Sequence, residues 1–456
     1  MATYLTRTVS DGTSNRLATF SFWVKRSCIS DSDGQGSNYF FCVAGPGGFS
    51  DSDWLGCQFQ SDDTLRVLTW YGGTDIRTNM VFRDPASWYH IVIRIDTTAG
   101  AAANRIRIYV NGTEQTSFST ANYPSQNHDY NCLGDSGAKH YVGCAVSGSI
   151  GSPSPYDYAN GYIADFNLTS GQSYPASSFG ETDSTTGEWK PKLDLSGLTY
   201  GDNGFRLKFA NAGSLGADTS GQGHNLTVSG AGTNAQTTDT PSNNFATLNR
   251  LASNNTITEG SLKAVTSSGK RVGSMSSIGV SSGKWYVEYK VVNAGGSAAI
   301  GLENDNGVSF HDFDENVDWW NNSNAYAYQS DGNKRTTGVN ASYGSSFTAG
   351  DIIGVALDMD NRKLYFSKNG TFQDSGDPTS GSTGTGAAFT VTDGFTYFFQ
   401  FADQSSAATS IFQANFGNPT YTIASGNSDA NGHGNFEYAV PSGYFALCTK
   451  NLNTYG

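Results

Sequence analysis

The chain has 456 residues, a net charge of −13, 13% aromatic and only 15% charged side chains, and 55 glycines. At roughly 100–200 residues per domain this is two or three domains. Low charge with many aromatics and Gly, Ser, Thr and Asn describes short strands and tight turns rather than helices or disorder. The acidic balance excludes a duplex-DNA or RNA binder, which needs a basic footprint, and no run of about 18 apolar residues is present for membrane insertion.

The N-terminal MATYLTRTVSDGTSNR lacks an apolar stretch, so no secretory leader is expected. Synthesis in a reducing cytoplasm then predicts that Cys28, Cys42, Cys57, Cys132, Cys144 and Cys448, none in a CxxC pair, are free thiols filling the core. Alternation is the dominant pattern. Phe20, Phe22 and Val24 share one strand face and Ser21, Trp23 and Lys25 the other. Tyr89, Ile91, Ile93 and Ile95 form a second such face, and Ile106, Ile108 and Val110 a third, followed by an Asn111-Gly112 hairpin turn. The segment 181–210 reads as a bridge packed on the first domain. From 213 to 244 Gly, Ser, Thr and Asn prevail, which predicts a linker or long surface loop. Alternation resumes at Trp285, Val287, Tyr289 and Val291, again at Ile353, Val355 and Leu357, and finally at Phe395, Tyr397, Phe399 and Phe401. KNGTFQ near residue 370 echoes VNGTEQ near 112, so both halves carry a strand ending on an Asn-Gly-Thr tip. The sequons at Asn111, Asn225 and Asn369 read as turn chemistry. The fold expected is all-β, with two antiparallel β-sandwiches at 1–180 and 245–456 and a bridging segment and linker at 181–244.

The motifs FSFWVKR (20–26), WYHIVIRID (88–96), NRIRIYVNGTEQTSF (104–118) and NGYIADFNL (160–168) resemble the LamG, or concanavalin A-like, superfamily. SGKWYVEYKV (282–291), IGL (300–302), FTAGDIIGVALDMDNRKLYFSKNGTF (347–372) and NFG (415–417) resemble a SPRY domain. The pairing of the two, with SSFGETDSTTGEWKPK (177–192) and GADTSGQGHNLT between them, resembles virion structural proteins of tailed bacteriophages. That resemblance implies a location in the virion, other virion proteins as partners, and a homo-oligomer, a trimer or a symmetric ring.

Glycoside hydrolases occur in the concanavalin A-like superfamily, and they need two carboxyls flanking one bond. On a strand that means Glu-x-Asp-x-x-Glu or a close variant, which residues 1–210 lack, and Asp165 stands alone in its IADF segment. No GxSxG elbow, Cys–His spacing or phosphate loop is present, and the six histidines are scattered. A non-enzymatic protein is therefore expected, without a required cofactor. Calcium is a possible ligand at Asp31, Asp33, Asp51 and Asp53, in two acidic turns (DSDG and DSDW). The alternative for those turns is that they are simply solvated.

The sugar-binding candidates are aromatics beside amides and acids: Trp319, Trp320, Tyr326, Tyr328 and Asp331 in the 311–334 segment, and Trp54, Trp70 and Tyr71 in the first domain. For each tryptophan the alternative is a core position. The expected function is host-surface glycan attachment by a tail fibre or similar appendage. The rival readings are a capsid decoration or head-fibre protein and, less favoured, a polysaccharide hydrolase.

Overall fold

The alternating segments pair into antiparallel sheets in a computed structural model that describes residues 3–10, 12, 14–29, 38–149, 152–230, 235–253, 255–266, 273–305, 323, 325–403 and 409–456. Strand accounts for 44% and helix for 8%. The chain divides into two units, Met1–Gln236 and Thr237–Gly456.

In the first unit an eight-stranded sheet runs in the order β10 (Phe118–Asn122), β6 (Asp75–Val81), β5 (Thr64–Thr69), β4 (Trp54–Phe59), β3 (Asn38–Ala44), β11 (Lys139–Val142), β1 (Tyr4–Thr8) and β18 (Thr227–Ser229). A six-stranded sheet runs β17 (Phe205–Leu207), β14 (Gly161–Ser170), β2 (Leu17–Arg26), β7 (Trp88–Asp96), β8 (Ile106–Val110) and β9 (Thr113–Glu114). Their facing side chains make one core. Phe20 stacks on Phe41 at 4.0 Å between ring centroids and Phe22 on Phe166 at 5.4 Å, while Ile91, Ile93 and Ile95 fill the space beside them. Such ring pairs add about 0.5–1.5 kcal/mol beyond area burial.

The other face of β2 is not solvated, as simple alternation would have it. Ser21, Trp23 and Lys25 are all buried. A second apolar layer of Val92, Tyr109, Ala176, Phe179 and Leu195 lies on this sheet, with Trp189 packed against it. Trp189 belongs to a hairpin of β15 (Gly180–Thr182) and β16 (Trp189–Pro191), and a further hairpin joins β12 (Ala145–Ser149) to β13 (Ser152–Tyr156).

The stretch expected to be a linker from 213 to 244 is largely part of the first sandwich. Leu215 and Leu226 are buried in its core, and β18 pairs with β1 through Leu5 opposite Val228. Two leucines spaced to reach the core and one short edge strand anchor a segment whose polar composition masks them.

The second unit pairs β19 (Thr256–Thr258), β20 (Lys263–Val265), β32 (Ser410–Asn415), β22 (Lys284–Ala294), β27 (Ile352–Asp358), β28 (Lys363–Lys368) and β29 (Thr371–Phe372), with β30 (Phe389–Thr390) on β28 and β33 (Phe445–Ala446) parallel to β22. Its facing sheet is β21 (Gly273–Val280), β31 (Tyr397–Asp403), β23 (Ala298–Asn304), β24 (Tyr326–Gln329), β25 (Asn333–Thr336) and β26 (Val339–Ser342). The two Asn-Gly tips are alike in detail. Asn111 and Gly112 have φ of 47° and 79°, Asn369 and Gly370 of 50° and 79°, the positive values a type I′ turn requires. Asn111 Oδ1 accepts from His90 N at 2.7 Å and Asn369 Oδ1 from Ile352 N at 2.9 Å. All six cysteines are buried thiols, and burial pushes the Cys144 thiol up to about 12.

Candidate functional site

Trp319 and Trp320, with Asp31 and Asp33, lie outside the described residues. Tyr326 and Tyr328 share a face of β24, as alternation predicts, but that face is the core, which corrects their reading as sugar platforms. Tyr326 packs on Phe389 at 5.2 Å, and its hydroxyl accepts from Thr392 N at 3.1 Å. Tyr328 is enclosed by Tyr343, Phe347 and Phe366 and donates to the Ser345 carbonyl. Asp331 holds a tight turn, accepting from Asn333 N at 2.9 Å and Asn333 Nδ2 at 2.8 Å.

In the first unit Trp54 is also a core residue. Its Nε1 donates to the Val146 carbonyl at 3.2 Å. Trp70 is 38% and Tyr71 75% exposed, and Trp70 leans on Phe49 at 4.6 Å. Asp51 and Asp53 serve their own turns. Burial opposes the charge of Asp51, but donation from Thr69 Oγ1 (2.7 Å), Gly73 N (3.1 Å) and Tyr71 N (2.9 Å) outweighs it and lowers the pKa. Asp53 accepts from Ser50 Oγ at 2.7 Å. Among the described residues no cluster of three or more His, Cys, Asp or Glu is placed to hold a metal ion.

Ser21 and His90 form a pair that resembles catalytic machinery and is not. Trp189 Nε1 donates to His90 Nδ1 at 2.9 Å, so the remaining proton sits on Nε2 and points at Ser21 Oγ, 2.9 Å away. A protonated Nε2 cannot take the serine proton. Both residues are buried, and burial drives the His90 pKa down to about 3. Asp165, the isolated carboxylate of the sequence, is held bidentately by Arg206 at 2.7 and 3.0 Å.

An open groove of about 690 Å³ lies over β1, β11 and β18. Alternation along β1 gives it Tyr4, Thr6 and Thr8, and β11 gives Lys139 and Tyr141. The chain leading into β18 contributes Gly223, His224, Asn225 and Thr227, and Pro155 and Arg7 complete the lining. Tyr4 rests on Tyr158 at 6.1 Å.

The loop before β18 is built around Asp218. Its carboxylate accepts from Arg206 N (2.9 Å), Ser220 N (2.8 Å), Ser220 Oγ (2.9 Å) and His224 N (2.8 Å). Burial works against that charge, yet the donors prevail and lower its pKa. His224 Nδ1 donates to the Gly204 carbonyl at 2.8 Å, which leaves Nε2 as its accepting nitrogen. Arg7 donates to the Asn203 carbonyl at 3.2 Å. Burial lowers the pKa of Arg7, opposed by the charge of Asp218.

Sequence reasoning missed this groove because its residues come from positions 4–8, 139–141 and 224–227. Two signals were present: the Tyr-x-Thr-x-Thr alternation at the N-terminus, and the GADTSGQGHNLT motif, whose Asp218 organises the loop.

Two β-sandwiches, one of them with a polar, tyrosine-bearing groove, define the class of protein. Residues 3–168 match the family Laminin_G_3, described as the concanavalin A-like lectin/glucanases superfamily, and residues 284–415 match the SPRY domain. The chain thus carries a concanavalin A-like domain followed by a SPRY domain. No curated protein matches it.

Similar solved structures include the SPRY domain of human HERC1 (22% identity, 37% of this chain and 96% of that chain, TM-score 0.29). A heptameric SAP-like pentraxin from Limulus polyphemus is similar at 15% identity (38% and 77%, TM-score 0.28). A candidate carbohydrate-binding protein from Bacteroides ovatus is similar at 16% (50% and 56%, TM-score 0.33).

Proposed function

We propose that this chain is a non-enzymatic glycan-binding protein, that its first unit holds the sugar in the groove over β1, β11 and β18, and that it serves as a tail fibre or similar appendage of a tailed-phage particle, assembled as a trimer or symmetric ring. The groove carries the binding reading. Its size suits a small number of sugar rings. Tyr4 supplies an aromatic edge for C–H faces, while Thr6, Thr8, Asn225 and Thr227 supply the hydroxyl and amide partners that sugars require. The lectin-containing superfamily of the first domain supports the same reading. Among the described residues no Asp or Glu lines the groove, whereas glycoside hydrolysis by the usual route needs two carboxyls across the bond.

Each sugar–protein hydrogen bond replaces a sugar–water bond, so single-site affinity is weak. Many copies on one particle raise it through effective concentration. Binding of the full chain to host-derived polysaccharide, measured by calorimetry, should weaken about tenfold in Tyr4→Ala, with unchanged thermal unfolding. Equal binding by both forms rejects the groove, and release of reducing ends rejects the non-enzymatic reading. Gold labelling of intact particles should mark the tail; labelling of the capsid makes the chain a decoration or head-fibre protein. Light scattering should return a closed oligomer.

A further inference from the structure

The groove's charge is opposite to that of the molecule. The chain carries a net −13, yet among the described residues the groove is lined by the cations Lys139 and Arg7 and by no carboxylate. The charge of Asp218 acts on Arg7, but among the described residues no hydrogen bond or ion pair joins Asp218 to Lys139. Among the described residues nothing accepts a hydrogen bond from Lys139 or pairs with it, so its ammonium stands uncompensated at the groove wall. Lys139 and Tyr141 also line a small adjoining cleft with Phe49 and Gly48, and Phe49 carries the half-exposed ring of Trp70. The cation therefore stands where two stretches of one surface meet.

Resting on the glycan-binding reading above, we infer that the ligand is an acidic polysaccharide, whose carboxylate or sulfate meets Lys139 while neighbouring sugars occupy the groove and the Phe49–Trp70 side. An uncompensated cation in an otherwise acidic protein selects for an anion by charge complementarity, and it repels no part of such a ligand. Hydroxyl-bearing Tyr4, Thr6, Thr8 and Thr227 match a saccharide, whereas a nucleic acid needs a run of cations that this surface lacks.

The test uses the full chain and three polymer pairs of matched backbone: polygalacturonate and its methyl ester, alginate and its propylene glycol ester, and heparin and its desulfated, N-acetylated, carboxyl-reduced form. At least one acidic member should bind about tenfold more tightly than its neutral partner at low salt, an advantage that shrinks at high salt. Lys139→Gln should remove most of that ratio, and Lys139→Arg should retain it. Trp70→Ala should weaken long chains of the same polymer more than its trisaccharide.

Neutral and acidic members binding equally overturns the inference and leaves the glycan reading standing. Binding of none of the six polymers counts against both. Equal binding of single-stranded oligodeoxynucleotide, or an acid preference that survives in Lys139→Gln, also overturns the inference.

Discussion

His90 and His140 are both fully buried and both held neutral, His90 by burial and His140 by burial and then by the charge of Arg7, the residue opposite it in the β1–β11 register. Each pKa falls from 6.5 to about 3. A depressed histidine contributes stability that is complete above the unfolded value of 6.5 and is lost as pH falls toward the folded value. Each should therefore cost roughly 1.4 kcal/mol per pH unit below 6.5, or about 2 kcal/mol each at pH 5. Urea unfolding at pH 7 and pH 5 checks this. His90→Gln, which keeps an acceptor for Trp189 and a donor for Ser21, should lose about 2 kcal/mol less than the parent over that interval. An identical loss in both proteins would show that His90 is charged in the folded state.

In both units a later segment covers the outer face of a sheet. In the first unit Trp189 lies over the Asn111-Gly112 tip so closely that a Cβ on Gly112 would sit 2.6 Å from its ring. In the second, Tyr438 lies over the Asn369-Gly370 tip, where a Cβ on Gly370 would come within 2.5 Å. That second cover is fastened by buried Glu288, which accepts from Glu437 N at 3.0 Å and Tyr438 N at 2.9 Å. Burial raises the Glu288 pKa despite those donors. The repeated Asn-Gly-Thr phrase thus marks two hairpin tips capped by an aromatic from later in the chain.

Trp189→Ala removes ring packing and leaves His90 Nδ1 without its donor, so it should cost about 2–4 kcal/mol. Calorimetric melting of the full chain should show the loss in the transition of the first unit alone; a change under 0.5 kcal/mol would mean that the hairpin of β15 and β16 does not stabilise the sheet. Alternation made the inward faces of β2, β7 and β8 legible, because a period of two sorts Phe20, Phe22 and Val24 from their neighbours. It could not show that Ser21, Trp23 and Lys25 are buried as well, since a mixed polar face looks the same whether water or another segment covers it. Nor could it separate Tyr326 and Tyr328 from a binding loop, because aromatic rings suit a core and a sugar equally. The groove escaped for a different reason. Tyr4, Lys139 and Asn225 become neighbours only through the pairing of β1 with β11 and β18.

At the scale of the whole molecule, the family matches end at residues 168 and 415, but the physical units do not. Beyond residue 180 the first unit gains β17 at the edge of one sheet and β18 at the edge of the other. It also gains Phe205, Leu207, Leu215 and Leu226 in the central core, and Leu195 with Trp189 on the outer face. Burying one large apolar side chain is worth about 1.5–3 kcal/mol. The four core residues alone then contribute roughly 6–12 kcal/mol, as much as the entire stability of an ordinary domain, about 5–15 kcal/mol. A fragment of residues 1–180 should therefore be unfolded or insoluble at 25 °C, although it contains the whole family match. A fragment of residues 1–236 should be soluble, give a strand-dominated dichroism spectrum and melt in one cooperative step. The decisive comparison is thermal melting of the two fragments purified in parallel. A cooperative transition for 1–180 within a few degrees of that for 1–236 would show that the segment rich in Gly, Ser and Asn only decorates a complete sandwich, and the groove, which needs β18 for one wall, would then have to form on a fold that does not depend on it.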